Sequence, residues 1–211
     1  MFLLYFVIIF GITPLFYFFI ARSKNARELK PIIPFITLTF VSSLYEFFGT
    51  LIFGWNVSYW FVFFEVLAFL CIYYFYFEIL QKQFSNLFQL FLVAFFAFCV
   101  FLYMQFRIDD VLNITSYIDI FITIFILFFT IIWFRKLIID AYIENLLDDS
   151  AFYFISGFVL YYCGTLFLFL LSNHLYKLDS CTFQSYWLLN ILLNFVLRTL
   201  LIIGLWMART K

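Results

Sequence analysis

An all-α, polytopic membrane bundle is the fold class this sequence predicts: seven transmembrane helices, N-terminus out and C-terminus in. Three observations predict it. Hydrophobic residues make up 67% of the 211, charged residues only 11%, and the mean hydropathy is +1.10. The apolar residues fall into seven blocks, at 2–20, 31–53, 57–79, 86–104, 115–134, 151–172 and 184–207. Each is near the about 20 residues that a helix needs to cross a bilayer. No stretch between them is long enough for a soluble domain, so residues 1–211 read as a single transmembrane domain. The blocks are continuous rather than alternating, which argues for helices over barrel strands.

Span one begins at once: Met1 runs into Phe2-Leu3-Leu4-Tyr5, and the basic residues follow the apolar run. A signal peptide has the opposite order, so this segment is expected to stay as a helix. Arg22 to Lys30 makes a short basic inner loop, and Pro31 and Pro34 suit the start of span two. Gly54-Trp55-Asn56 reads as a tight outer turn, making spans two and three an antiparallel hairpin. Ser58-Tyr59-Trp60 opens span three and Ser185-Tyr186-Trp187 opens span seven. That echo fits a three-plus-one-plus-three repeat, but an interfacial belt of Trp and Tyr explains it more simply. After span five, Arg135 to Ser150 mixes Leu137, Ile138, Tyr142 and Leu146 with Asp140, Glu144 and Asp148. It is either a surface amphipathic helix able to dock a partner or a continuation of span five, the second being expected. Asp149 or Ser150 can cap span six. The 37 Phe read as lipid-facing fill rather than a ligand cage.

Orientation follows from the basic residues, which concentrate on the cytoplasmic side. With the N-terminus outside, nine fall inside: Arg22, Lys24, Arg27, Lys30, Lys82, Arg135, Lys136, Arg209 and Lys211. Two, Arg107 and Lys177, fall outside, and Arg198 lies within a span. The Asn56-Val57-Ser58 and Asn113-Ile114-Thr115 triplets are both placed outside.

An ionisable residue inside a span is costly and faces the bundle interior or a cavity. Glu46, Glu65, Asp119 and Arg198 are such residues. At 1.5 Å of rise per residue, Glu46 lies about 10 Å and Glu65 about 12 Å below the outer ends of spans two and three. Asp119 is shallower, and Arg198 sits near the midplane with about 15 Å of apolar helix after it. Asn190, Asn194 and Arg198 recur every fourth residue, one stripe of span seven. Thr39, Ser42, Ser43, Glu46 and Thr50 form a stripe on span two; Asp119, Thr123 and Thr130 form another on span five. The six residues Glu46, Glu65, Asp119, Asn190, Asn194 and Arg198 are therefore the candidate ligand-binding or proton-coupling site. Helix-to-helix glue is the competing explanation of the same stripes.

Other chemistries find no support. Cys71, Cys99 and Cys163 fall in spans and Cys181 in a loop, none at metal-ligand spacing. His174, the single histidine, falls in an outer loop. There is no HExxH, no GxSxG, no phosphate-binding glycine loop, and no Lys in span seven for a retinal Schiff base. Paired-carboxylate chemistry at Glu46 and Glu65 is the one enzymatic route left open. No catalytic residue, cofactor, metal or nucleic-acid partner is expected.

The stretch Asp148-Asp149-Ser150-Ala151-Phe152-Tyr153-Phe154 to Gly157, with Tyr161-Tyr162-Cys163-Gly164-Thr165-Leu166-Phe167, carries a resemblance, as does Trp187-Leu188-Leu189-Asn190-Ile191-Leu192-Leu193-Asn194 ending in Gly204-Leu205-Trp206. Over about the last third of the chain, these segments resemble uncharacterised small bacterial seven-helix proteins of the kind found beside sensor histidine kinases. The resemblance implies a sensory role and a bacterial cytoplasmic membrane, and supplies no site residues. Small seven-helix sugar transporters share the size and orientation, but their Pro-Gln motif is missing here.

Three functions follow as expectations. The first is a non-enzymatic sensory or signal-coupling protein with a polar pocket in the outer half of the bundle, acting through a membrane or cytoplasmic signalling partner. The second is a small proton-coupled transporter using Glu46 or Glu65, with Arg198 as counter-ion. The third is a structural subunit of a membrane complex.

Overall fold

The computed structural model describes residues 2–21, 29–54, 58–80, 84–106, 111–140, 146–178 and 180–210. Every regular element among them is helical. The helices are α1 (Phe2–Ala21), α2 (Ile33–Tyr45, running on into a π-helical stretch Glu46–Ile52), α3 (Ser58–Ile79), α4 (Ser85–Gln105), α5 (Val111–Asp140), α6 (Ser150–Leu178) and α7 (Ser180–Thr210). A 3-10 turn, Leu146–Asp148, precedes α6. Five helices are long and apolar enough to cross a membrane: Trp60–Ile79, Ser85–Gln105, Asn113–Ile139, Ser150–Leu168 and Leu188–Arg209. Phe10–Phe19 and Ile33–Gly49 are shorter apolar helical stretches. The sequence expectations at Arg22, Lys24, Arg27, Trp55, Asn56, Lys82, Arg107, Tyr142, Glu144 and Lys211 lie outside the described residues.

Local chemistry explains the ends. Pro34 sits in the first turn of α2, where no amide donor is needed. Gly54, at φ 63°, follows the last turn of α2 in the left-handed region that glycine enters without strain. The Asp149 carboxylate accepts the Ala151 amide at 3.1 Å and caps α6. Several helices outrun their apolar blocks, because a hydrogen-bonded ladder continues past the hydrocarbon. Residues 135–140 therefore belong to α5. The backbone at 174 is helical, so His174 is not in a loop. Cys181 likewise lies within α7 rather than in a loop, and α7 begins at Ser180, ahead of Ser185-Tyr186-Trp187.

Six helices close a ring. In order round it, α1 packs on α2, α2 on α3, α3 on α5, α5 on α6, α6 on α7, and α7 on α1. The α6–α7 joint is the most extensive. It is antiparallel and built on glycines: an added Cβ at Gly157 would meet Leu197 at 3.1 Å, at Gly164 Leu193 at 2.8 Å, and at Gly204 Phe154 at 2.5 Å. Small residues let helix backbones approach closely inside a membrane.

Helix α4 stands outside the ring, against α5 and α3. Its seam is aromatic: Phe88 stacks on Phe129 (centroids 4.1 Å apart) and Phe95 on Phe69 (3.7 Å). These rings fill the space between helices and hold the backbones apart. The reading of Phe as lipid-facing fill is accordingly corrected: Phe69, Phe88, Phe95, Phe125 and Phe129 are fully or almost fully buried between α3, α4 and α5. Other Phe, such as Phe16, Phe96 and Phe101, do face outward. The outer surface is apolar, unlike that of a water-soluble protein, and several polar side chains are enclosed. Leu90, Val93, Ile131 and Met104 are exposed, whereas Ser43, Asp119, Thr165 and Arg198 are enclosed.

Candidate functional site

The polar stripe of α2 turns inward. Thr39, Ser42 and Ser43 are buried, and the Ser43 hydroxyl donates to the Thr39 carbonyl at 2.9 Å. At the end of this stripe the helix changes pitch. The Glu46 amide is shared between the Ser42 and Ser43 carbonyls, and the wide turn that begins there ends with the Phe53 amide reaching back five residues to Phe48 at 3.0 Å. Such π-helical turns insert an extra residue into a helix and recur at functional sites. The Glu46 carboxylate accepts a long hydrogen bond from the Ser42 hydroxyl (3.4 Å), which in turn accepts the Trp60 indole N–H at 3.2 Å. Trp60 is also stacked on Tyr45 at 4.4 Å, so it ties α3 to α2 rather than serving only as an interfacial anchor.

Arg198 enters from α7. Its guanidinium donates to the Ser43 hydroxyl at 3.4 Å and lies within electrostatic reach of Glu46. Ser43 is three residues before Glu46, so the guanidinium meets α2 about one turn from the carboxylate, and the length of the arginine side chain covers the difference in depth. α1 makes room for this contact. A Cβ on Gly11 would collide with the Ser43 hydroxyl and come within 2.8 Å of an Arg198 nitrogen. One turn on, Pro14 cannot donate to the Phe10 carbonyl, and the Thr13 hydroxyl does so instead at 2.6 Å.

A second acidic centre lies between α3 and α5. Glu65 and Asp119 are 8% and 2% exposed and within electrostatic reach of each other. Glu65 Oε2 and both Asp119 carboxyl oxygens accept no hydrogen bond from the described residues. Neighbouring hydroxyls donate to main-chain carbonyls, Thr123 to Asp119 at 2.7 Å and Thr165 to Tyr161 at 2.8 Å, and the Thr165 hydroxyl also lies close enough to the Asp119 carboxyl to favour its charged form.

α6 joins the two centres. Tyr161 is within electrostatic reach of Glu65, Asp119, Arg198 and Glu46, and Tyr162 of Glu65 and Asp119. Both tyrosines are buried. Of the six residues singled out by sequence, four therefore share one interior cluster: Glu46 with Arg198, and Glu65 with Asp119. Asn190 and Asn194 are not tied to it. Asn190 lies two turns from Arg198, about 12 Å along α7; it is buried, with an amide oxygen that accepts no hydrogen bond from the described residues, and Asn194 is half-buried. Three further residues escaped the sequence reading of the site: Tyr161, Tyr162 and Gly11. Tyr161 and Thr165, four apart on α6, were the legible sign of a polar stripe there.

Chemically the cluster is rich in acceptors. It holds three carboxyls and one guanidinium, which faces Glu46, and near the second centre the Thr123 and Thr165 hydroxyls donate to main-chain carbonyls. Among the described residues no group of three His, Cys, Asp or Glu is gathered as a metal site would require. No protein family, curated protein or solved structure matches this chain.

Proposed function

We propose that this chain is a seven-span protein of a bacterial cytoplasmic membrane, N-terminus outside, that detects a ligand or the state of the envelope at its interior cluster. It passes the change to a signalling partner at its inner surface. The observation that carries this reading is the set of buried oxygens on Glu65 and Asp119 that accept no hydrogen bond from the described residues. Polar groups that only hold helices together satisfy one another. A buried polar group left without its partner costs about 1–3 kcal/mol, so a site that keeps several is built to receive something. The resemblance to proteins found beside sensor kinases supports signalling as the output. The excess of carboxyls over Arg198 favours one second reading, a small proton-coupled transporter.

The experiment is a set of single variants, Glu46→Gln, Glu65→Gln and Asp119→Asn, each read in two assays: output of a kinase encoded next to this protein, and uptake into proteoliposomes under a proton gradient. Altered kinase output with no uptake supports the sensor. Proton-driven uptake that the variants abolish replaces it with the transporter. If all three variants fold and match the wild type in both assays, the cluster is packing, and the chain is a structural subunit.

A further inference from the structure

We propose that Glu65 and Asp119 bind a small monovalent cation, a proton or an alkali ion, between α3 and α5. The inference rests on reading the interior cluster as a working site and names what that site takes. Both carboxyls are more than nine-tenths buried, and three of their four oxygens accept nothing from the described residues. Several polar groups lie around them. From α6 come Tyr161 and Tyr162, within electrostatic reach, and Thr165, whose hydroxyl donates to the Tyr161 carbonyl and lies beside the Asp119 carboxyl. From α5 itself comes Thr123, turned to the Asp119 carbonyl. On α3, Cys71 is within electrostatic reach of Tyr162. The basic residue of this interior cluster, Arg198, is turned to Ser43 and Glu46.

A charge count gives the need. Were Glu46, Glu65 and Asp119 all ionised against Arg198, the cluster would hold three negative charges and one positive, an excess of two. Arg198 serves the Glu46 side, and the excess would therefore sit on the Glu65–Asp119 pair. Uncompensated charge in a low-dielectric interior is expensive, so the pair draws positive charge from outside the protein. The number of acidic ligands selects the guest. Calcium takes six to eight oxygens, with several carboxylates among them. Among the described residues there is no third acidic, His or Cys ligand. A proton bridging the carboxyls, or one alkali ion completed by tyrosine hydroxyls and carbonyl oxygens, fits the set.

The test uses the full chain in nanodiscs of zwitterionic lipid. Thermal unfolding is followed at constant ionic strength, with sodium, potassium or lithium exchanged against N-methylglucamine, over a pH series. Infrared spectra record the protonated-carboxyl band. A ligand bound only by the folded state raises Tm with its concentration. An alkali site gives a saturable Tm rise with one of the three ions. A proton site gives a Tm rise on acidification, no alkali effect, and a protonated-carboxyl band. Either response should be lost in Glu65→Gln/Asp119→Asn. If that double variant does not fold, Asp119→Asn alone, read by the infrared band and the alkali series, decides. No alkali dependence together with no carboxyl band that changes in Asp119→Asn overturns the proposal. Loss of kinase output in Glu46→Gln alongside that negative result would leave the sensor standing and remove only the cation. Cation binding with unchanged output in every variant would keep the site and remove the sensor.

Discussion

Arg198 is the residue whose removal should be felt most. Its guanidinium is enclosed, bonded to Ser43 and opposed to Glu46. Removing one partner of a buried pair strands the other, at a cost of about 3–5 kcal/mol. Arg198→Leu should therefore destabilise the protein by roughly that much, and Arg198→Leu/Glu46→Gln by less than the sum of the single changes, with a coupling of about 0.5–3 kcal/mol. Unfolding curves of the four proteins in one detergent measure it, and strict additivity would refute the pairing. The charged members of the cluster were readable in the sequence because a charge in an apolar run has no cheap explanation. Tyr161 was not, since 15 Tyr are spread through the chain and a tyrosine suits membrane interfaces as well as interiors. Gly11 was hidden for another reason. Its part is the space it leaves for Ser43 and Arg198, and a sequence does not show which helix fills a space.

The elements were legible nearly to their ends, because an apolar block of about 20 residues and a helix of about 30 Å are one constraint seen twice. The change of pitch at Glu46 was not legible. The residues Glu46-Phe47-Phe48-Gly49-Thr50-Leu51-Ile52 contain nothing that an ordinary helix excludes, and the wide turn follows from what surrounds it. The seam of α4 was misread for a similar reason, since apolar rings against lipid and against other rings look alike in sequence. That seam yields a paired prediction. Phe88→Ala empties the stack on Phe129 and should cost about 3–5 kcal/mol, as other buried Phe→Ala changes do. Phe96→Ala, on the outward face of the same helix, should stay within about 0.5 kcal/mol. Thermal unfolding of both variants in nanodiscs checks the contrast, and equal losses would mean that α4 is held by something other than its rings.

For the whole molecule, the bias of nine basic residues to two predicts the orientation: a reporter fused after Lys211 should be active only in the cytoplasm. A periplasmic signal would refute seven crossings with an outer N-terminus. The order of neighbours was out of reach of hydropathy, which tells that a helix lies in lipid and nothing of which helix it touches. Helix α4 is the one outside the ring. The ring has a mechanical consequence. Each of its helices is braced by two neighbours, so a load on one is shared all round, and the assembly yields where its staves are weakest. Two adjacent staves are interrupted: α1 at Pro14, where a threonine hydroxyl stands in for an amide, and α2 at the wide turn from Glu46. Compliance is thus concentrated on one arc of the hoop, the arc against which Arg198 is pressed.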